Sequence, residues 1–133
     1  MQAHLVFQIG GDRTYTTAFH EACTLNSIDM AKLFLAKGVD PNLPGRFDRT
    51  PLHFAASGAG ADLLFFEFMM KNGANVNLLS APRGAKKGRT VLWELFDASS
   101  WHGGRLELLK YLIVHGADLT LDPEHNLFTI LLG

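Results

Sequence analysis

His20 and Cys23 form a pair of side chains whose types and spacing could support catalysis. They stand three positions apart in a predicted helix, so they share one face, and a cysteine beside a histidine can act as a nucleophile with its base. Such catalysis also needs a pocket and a third group that orients the histidine, and the surrounding sequence supplies neither. We therefore predict no catalytic residue, and we keep a Cys/His hydrolase-type enzyme as an alternative function.

The six histidines lack the spacing of a metal site, because the sequence contains no H-x-x-H, H-E-x-x-H or C-x-x-C motif. Four residues near the C-terminus could in principle meet around one ion: His115, Asp118, Asp122 and His125. Charged residues in an exposed loop are usually just solvated. The glycines at 58–60 and 84–88 do not have the context of a nucleotide-binding loop. We predict neither a metal nor a cofactor.

The strongest local charge is basic, because positions 76–93 contain no acidic residue. Four basic residues lie in this segment: Arg83, Lys86, Lys87 and Arg89. The segment favours an acidic or mixed-charge partner. The formal net charge of the whole chain is −1. This near-neutral total argues against nucleic-acid binding, which we keep as a second alternative function.

Composition places the chain among ordinary folded proteins, with 47% hydrophobic and 19% charged residues. The single cysteine, Cys23, cannot form an internal disulfide, so we expect a reducing compartment. That compartment is the cytoplasm or the nucleus, either of the source cell or of a host cell into which the protein is delivered. No apolar run approaches the roughly 20 residues that span a bilayer. We expect no membrane partner.

A unit of about 33 residues recurs along the chain. The segment Arg49–Ala56 reads R-T-P-L-H-F-A-A, in which Thr50 is a helix-capping type and Pro51 suits a first helical turn. Gly73 can end the second helix of this unit, since glycine takes a left-handed C-terminal position without steric cost. The same two landmarks recur in two further units: Thr17 with Gly38, and Thr90 with Gly116. The sequence therefore predicts three helix pairs.

The period and the T-P-L-H-x-A motif resemble those of ankyrin-repeat proteins. The second unit carries the full motif, whereas the first has Ala18 for the proline and Cys23 for the second alanine. The third unit departs from the motif at four positions: Val91, Trp93, Leu95 and Phe96. The resemblance implies an all-α solenoid of antiparallel helix pairs joined by β-turn or hairpin fingers. It also implies that His20 and His53 form structural hydrogen bonds between repeats.

We predict one domain over residues 1–133. Its parts are an N-terminal cap at 1–16, repeat one at 17–49, repeat two with a long finger at 50–89, repeat three with a helix-turn insertion at 90–126, and a partial capping repeat at 127–133. The cap is expected to contain a short helix or strand, and the remainder of an upstream half-repeat is the alternative. Residues 126–132 are apolar with no second helix to cover them. Three alternatives follow: the chain continues beyond them, they fold back as a cap, or they contact a partner. The partner can be a second copy of the chain, in end-to-end self-association.

Apolar stripes at helical spacing predict the second helix of each pair, at about 28–37, 62–72 and 105–115. Met30 and Leu33 in the first of these helices and Leu106 in the third are expected to face the core. The middle helix is the most apolar, and we expect it at the centre of the stack.

The resemblance to ankyrin repeats implies a non-catalytic module for protein–protein interaction, serving as a regulator, a delivered effector or part of a larger protein. In that family the finger tips and the exposed face of each first helix line a concave binding surface. The candidate partner-binding residues are Arg46, Phe47, Asp48, Arg49, Phe54, Arg83, Lys86, Lys87, Arg89, Glu94, Asp97 and Trp101. Trp101 lies in a glycine-flanked loop and is either folded back onto the core or exposed for binding.

Overall fold

The computed structural model describes residues 6–8, 15–57, 61–81, 88–97 and 103–121 of the chain. Within these ranges, two short strands precede six helices. The elements are β1 (Val6–Gln8), β2 (Tyr15–Thr17), α1 (Ala18–Thr24), α2 (Ile28–Ala36), α3 (Pro51–Ser57), α4 (Leu63–Lys71), α5 (Val91–Asp97) and α6 (Gly103–Val114). A 3-10 turn at Arg46–Asp48 lies between α2 and α3. The helices agree with the predicted ones to within two residues, and α6 differs most because it already begins at Gly103.

The helices stack as pairs in two layers. Helices α1, α3 and α5 pack side by side, while α1 also packs on α2, α3 on α4, and α4 on α6. This arrangement agrees with the predicted all-α solenoid of helix pairs. No helix in the described ranges is long and apolar enough to cross a membrane.

The first helix of each pair begins at a threonine cap. The Thr17 hydroxyl accepts a hydrogen bond from the His20 amide (3.2 Å), and the His20 Nδ1 accepts one from the Thr17 amide (3.1 Å), which closes a capping box. Thr50 and His53 form the same pair of bonds. At the third pair, Thr90 still caps the amide of Trp93 (3.1 Å), but an indole cannot accept the returning bond. The T-x-x-H spacing therefore sets where α1 and α3 start, and the threonine alone caps α5.

The second helix of each pair ends at a glycine with left-handed backbone geometry. Gly38, Gly73 and Gly116 have φ values of 93°, 99° and 110°. Only glycine adopts this region without steric cost, so the three glycines stop α2, α4 and α6 at equivalent points.

Asparagine side chains join neighbouring repeats. Asn42 donates to the carbonyl of Gly73 (2.9 Å) and accepts from the amide of Asn75 (2.7 Å). Asn77 repeats this arrangement one unit further on, with Gly116 (2.9 Å) and Asp118 (2.8 Å). Each amide satisfies two backbone groups of the next unit, so the glycine ends of the helix pairs are held in register.

The core agrees with the prediction in α4 and differs from it in α2 and α6. In α4, the side chains of Phe65 and Met69 are 0% exposed, as expected for the most apolar helix. Met30, Leu33 and Leu106 were expected in the core, but they are 45%, 62% and 52% exposed. An apolar stripe is buried only where a neighbouring helix covers it, and helical periodicity does not reveal which helix stands at an end.

The segment predicted to be an N-terminal cap contains strand structure, which is one of the two forms expected for it. Strand β1 pairs antiparallel with β2, with Val6 opposite Thr17 and Gln8 opposite Tyr15. Strand β2 runs directly into α1, so this small sheet precedes the first helix pair. The predicted repeat boundaries stay a prediction, and the apolar segment 126–132 lies outside the described residues.

Candidate protein-interaction surface

Arg49 links the second helix pair to the third. Its guanidinium group donates to the carbonyl of His53 (3.3 Å) and lies 4.8 Å from the centre of the Phe54 ring. It also lies 3.9 Å from the carboxylate of Glu94 on α5, and these two side chains are 24% and 18% exposed. The Nε of Arg49 is buried and has no hydrogen-bond partner among the described residues. Arg49 is therefore held mainly by contacts within the protein.

Arg89 stands at the equivalent position of the next unit, directly before the threonine cap. Its guanidinium carbon lies 3.8 Å from the centre of the Trp93 ring, which is a close cation–π stack. Both side chains are half-buried. The backbone of Arg89 is fixed as well, because it exchanges two hydrogen bonds with Ser80 (2.9 and 3.3 Å). Arg89 is thus a partly exposed cation on a rigid support.

The third arginine lies in the 3-10 turn at Arg46–Asp48. The exposed Arg46 has its guanidinium carbon 4.9 Å from the centre of the half-buried Phe47 ring. Phe47 and Asp48 both have positive φ values (59° and 55°), which are unusual for residues with a side chain. The carbonyl of Phe47 accepts a hydrogen bond from the amide of Ala81 (2.6 Å), which joins this turn to the next finger.

These contacts bring most of the described candidates together on one surface, which we call the arginine face. The arginine face consists of Arg46, Phe47, Asp48, Arg49, Arg89, Trp93 and Glu94. Each of its three arginines lies over an aromatic ring, and Arg49 and Arg89 contact adjacent residues of α5.

Phe54 differs from the expectation of an exposed contact residue. The side chain is only 7% exposed, and its ring lies 4.7 Å from that of His20. The residue lies below Arg49 and supports it from the core side. Its position on α3 did not reveal that Arg49 covers it.

Several candidates cannot be placed. Arg83, Lys86, Lys87 and Trp101 lie outside the described residues. For Asp97 the structure describes the helical backbone but not the side chain. Their role as partner contacts stays a prediction.

His20 and Cys23 do not have the arrangement of a catalytic pair. The Nδ1 of His20 accepts from the Thr17 amide, so the proton is on Nε2, which donates to the carbonyl of Leu43 (2.7 Å). Cys23 is 0% exposed, and burial raises the pKa of its thiol well above the usual range. A neutral buried thiol beside a fully engaged imidazole is a poor nucleophile.

His53 repeats the hydrogen bonding of His20, since its Nε2 donates to the carbonyl of Arg89 (2.8 Å). Burial lowers the pKa of His53 to about 4, the positive charge of Arg49 acts in the same direction, and the hydrogen bond to Arg89 opposes both. Burial likewise lowers the pKa of His20. Both imidazoles are therefore neutral, and each joins the start of its helix to the finger that leads to the next helix pair.

An open cleft of about 360 Å³ lies between α4 and α6 and is lined by Glu67, Met70, Lys71, Tyr111 and His115. Its polar groups pair with one another: Lys71 lies 3.6 Å from Glu67, and the ring of His115 stacks on that of Tyr111 at 4.0 Å. No group of three or more His, Cys, Asp or Glu side chains that could hold a metal ion occurs in the part of the chain that the structure describes.

Trp93 is the member of the arginine face that is absent from the sequence-based candidates. It stands three residues after Thr90, where the other two units have a histidine. A histidine there is buried between repeats, whereas Trp93 is half-buried beneath Arg89. The arginine four residues before a tryptophan, both at a helix start, is the signal that could have identified the pair.

Comparison with known protein families agrees with this fold. A family model described as "Ankyrin repeats (3 copies)" matches residues 19–123. The chain therefore belongs to the ankyrin-repeat family, and the resemblance inferred from its motifs is confirmed. Ankyrin repeats are generally protein–protein interaction modules and are typically not enzymes. No curated protein sequence matches the chain.

Proposed function

We propose that this protein is a non-catalytic interaction module that binds an acidic or mixed-charge segment of a partner protein through its arginine face. The observation that carries the proposal is the set of three arginines, each placed over an aromatic ring, on the surface that joins the second and third helix pairs. Arginine and aromatic residues are the types most enriched at the energetic centres of protein interfaces. Such a module would act as a regulator, as a delivered effector or as part of a larger protein.

Rigidity of the arginine face supports this assignment. Arg49 and Arg89 are fixed by the contacts to α5, and the Arg46 turn is tied to the next finger through Ala81. A surface that is already ordered loses little conformational entropy when a partner binds. Recognition would therefore depend on the matching of charge and shape rather than on folding of the site.

The proposed cellular setting is a reducing compartment, the cytoplasm or the nucleus. Cys23 is a free cysteine in the core, where oxidation would disrupt the packing of the first helix pair. The sequence also suggests a second mode of interaction, which is self-association through residues 126–132. The near-neutral net charge speaks for a protein partner rather than a nucleic acid.

The proposal is tested by charge reversal on the intact protein. Short peptides that bind the protein are first selected from a random display library. The double variant Arg46→Glu/Arg89→Glu is then compared with Lys32→Glu/Lys110→Glu, which makes the same change in charge at exposed positions of α2 and α6. Thermal unfolding of both variants establishes that they remain folded.

We expect the arginine double variant to lose binding of the selected peptides by about tenfold or more and the lysine double variant to retain it. Affinity should also fall as the NaCl concentration rises, because exposed charge contacts are screened. Equal retention of binding by both variants would contradict the proposal. A library that yields no binder to the wild-type protein would contradict it as well.

A further inference from the structure

The three arginines of the arginine face differ in how many of their hydrogen-bond donors are already used. Arg49 is engaged by the carbonyl of His53 and by Glu94. Arg46 and Arg89 contact only the faces of their aromatic rings, and their guanidinium groups donate no hydrogen bond to any residue that the structure describes. Arg46 and Arg89 therefore keep their donors for a partner, whereas the unpaired Nε of Arg49 is buried.

Stacking on a ring determines which ligand such an arginine can take. The five N–H groups of a guanidinium lie in its plane, so a ring against the face of the group leaves the N–H edges accessible. Two parallel N–H groups on one edge match the two oxygens of a carboxylate. The ring also reduces the motion of the arginine before binding, which lowers the entropic cost of forming this bidentate contact.

The two arginines are connected through a short stretch of backbone that fixes their separation. Ser80 pairs with Arg89 on one side, and the next residue, Ala81, donates to Phe47 on the other side. Segment 80–81 therefore lies between the Arg46 turn and Arg89. Hydrogen-bonded backbone segments lie about 5 Å apart, as neighbouring strands do, so the backbones that carry the two arginines are on the order of 10 Å apart. One extended peptide can span this distance.

We infer that Arg46 and Arg89 are two carboxylate-binding positions that together hold a single extended acidic segment of a partner protein, with Arg49 as a positioning residue. This inference rests on the proposed function and specifies the ligand chemistry of the same surface. Arg49 contacts Glu94 on α5 and so stabilises the surface between the two sites. The segment presents two Asp or Glu side chains, one to each stacked guanidinium.

The charges around the two arginines favour separate carboxylates over a continuous polyanion. Asp48 lies exposed two residues from Arg46, and Glu94 follows Trp93 directly. A nucleic-acid backbone presents a phosphate at every nucleotide, so some of its phosphates would meet these acidic groups. A peptide can place its acidic side chains at the arginines and neutral ones beside Asp48 and Glu94.

The test uses two labelled peptides and the full-length protein. One peptide alternates Glu and Ser, and the matched control alternates Gln and Ser. Alternate residues of an extended peptide point to the same side, so the Glu peptide offers carboxylates at several spacings. Binding is measured by fluorescence anisotropy. NMR signals of the Arg89 Nε–H and the Trp93 indole report whether the stacked pair is the site of contact.

We expect the Glu peptide to bind and the Gln peptide not to bind. Arg46→Gln and Arg89→Gln should each weaken binding by about tenfold, whereas Lys32→Gln and Lys110→Gln should leave it within about twofold. Arg89→Lys should weaken binding nearly as much as Arg89→Gln, because lysine keeps the charge but has no planar fork and stacks poorly on the indole.

Three results would overturn the inference. The first is unchanged binding of the Glu peptide by Arg46→Gln and Arg89→Gln, and the second is full rescue by Arg89→Lys, which would mean that charge alone matters. The third is preferential binding of oligouridylate over the Glu peptide. If mixed-charge library peptides bind and lose affinity in Arg46→Glu/Arg89→Glu while the Glu peptide does not bind, the proposed function stands and this inference fails.

Discussion

The capping box of His53 holds only while its imidazole ring is neutral. Its Nδ1 accepts from the Thr50 amide (3.1 Å), and its Nε2 donates to the Arg89 carbonyl (2.8 Å). A proton on Nδ1 would remove the first bond and place a charge in the core beside Arg49. The capping histidine therefore couples the stability of the stack to pH.

The pH dependence of unfolding should carry the signature of His53. Its pKa is about 4 in the folded protein against 6.5 ordinarily, so between these values the unfolded chain binds more protons. The free energy of unfolding should then fall as the pH drops from about 6.5 to 4, by about 3 kcal/mol from this group. Burial of His20 adds a loss in the same direction.

The matched variant is His53→Gln, followed by urea unfolding at a series of pH values. At neutral pH the variant should be less stable than the wild type, because it loses the bridge to Arg89. The difference should shrink as the pH falls towards 4, since the variant no longer has the acid penalty. Two stability curves that stay parallel over this range would show that His53 does not titrate as described.

At the residue scale, the sequence predicted the roles of side chains better than it predicted their burial. The roles of His20 and His53 in the motif, and the structural nature of Cys23, follow from repeat position alone. The burial of Phe54 does not follow from its repeat position, because it depends on Arg49 and on the ring of His20 from the previous repeat. The pair Arg49–Glu94 joins residues 45 positions apart (94 − 49), and no local pattern identifies such a contact.

At the scale of elements, the asparagine bridges determine how one finger is joined to the next repeat. Asn42 makes one hydrogen bond to Gly73 and one to Asn75, so a single side chain links α2 and the following finger to the end of α4. Removal of this side chain leaves the Gly73 carbonyl and the Asn75 amide to form hydrogen bonds with water instead.

Asn42→Ala should lower the free energy of unfolding by about 1–2 kcal/mol, the usual effect of losing two partly exposed hydrogen bonds. The control is Asn72→Ala, whose side chain donates only to Phe68 in the turn just before it, and which should cost less than about 1 kcal/mol. Urea unfolding at neutral pH gives both values. Equal losses in the two variants would mean that the bridge between repeats contributes nothing specific.

Helix positions could be predicted because caps and glycine stops are local. Thr17, Thr50 and Gly73 determine where the chain turns through their own backbone and side-chain chemistry. The exposure of Met30 could not be predicted in this way. Met30 is 45% exposed although Phe65 and Leu108, each eight residues before its own glycine, are 0% exposed. The three positions look alike in sequence and differ only in what lies next to them.

At the scale of the whole molecule, the proposed function depends on where the charges lie rather than on their sum. The formal net charge is −1, yet three arginines lie together on the arginine face. Repeats bring these residues together because each unit places the residue before its threonine cap at the same point of the stack. Two of the three arginines, Arg49 and Arg89, occupy that position.

The most direct measurement of the central claim is an NMR map of backbone shifts on adding a library-selected peptide to the intact protein. Binding through the arginine face should move the signals of residues 46–49, 88–89 and 93–94, and it should leave those of the exposed outer positions Lys32 and Lys110 in place. Shifts confined to α2, α4 and α6, or to residues 126–132, would contradict the account. They would place the interaction surface on the outer helices or at the C-terminal end of the chain.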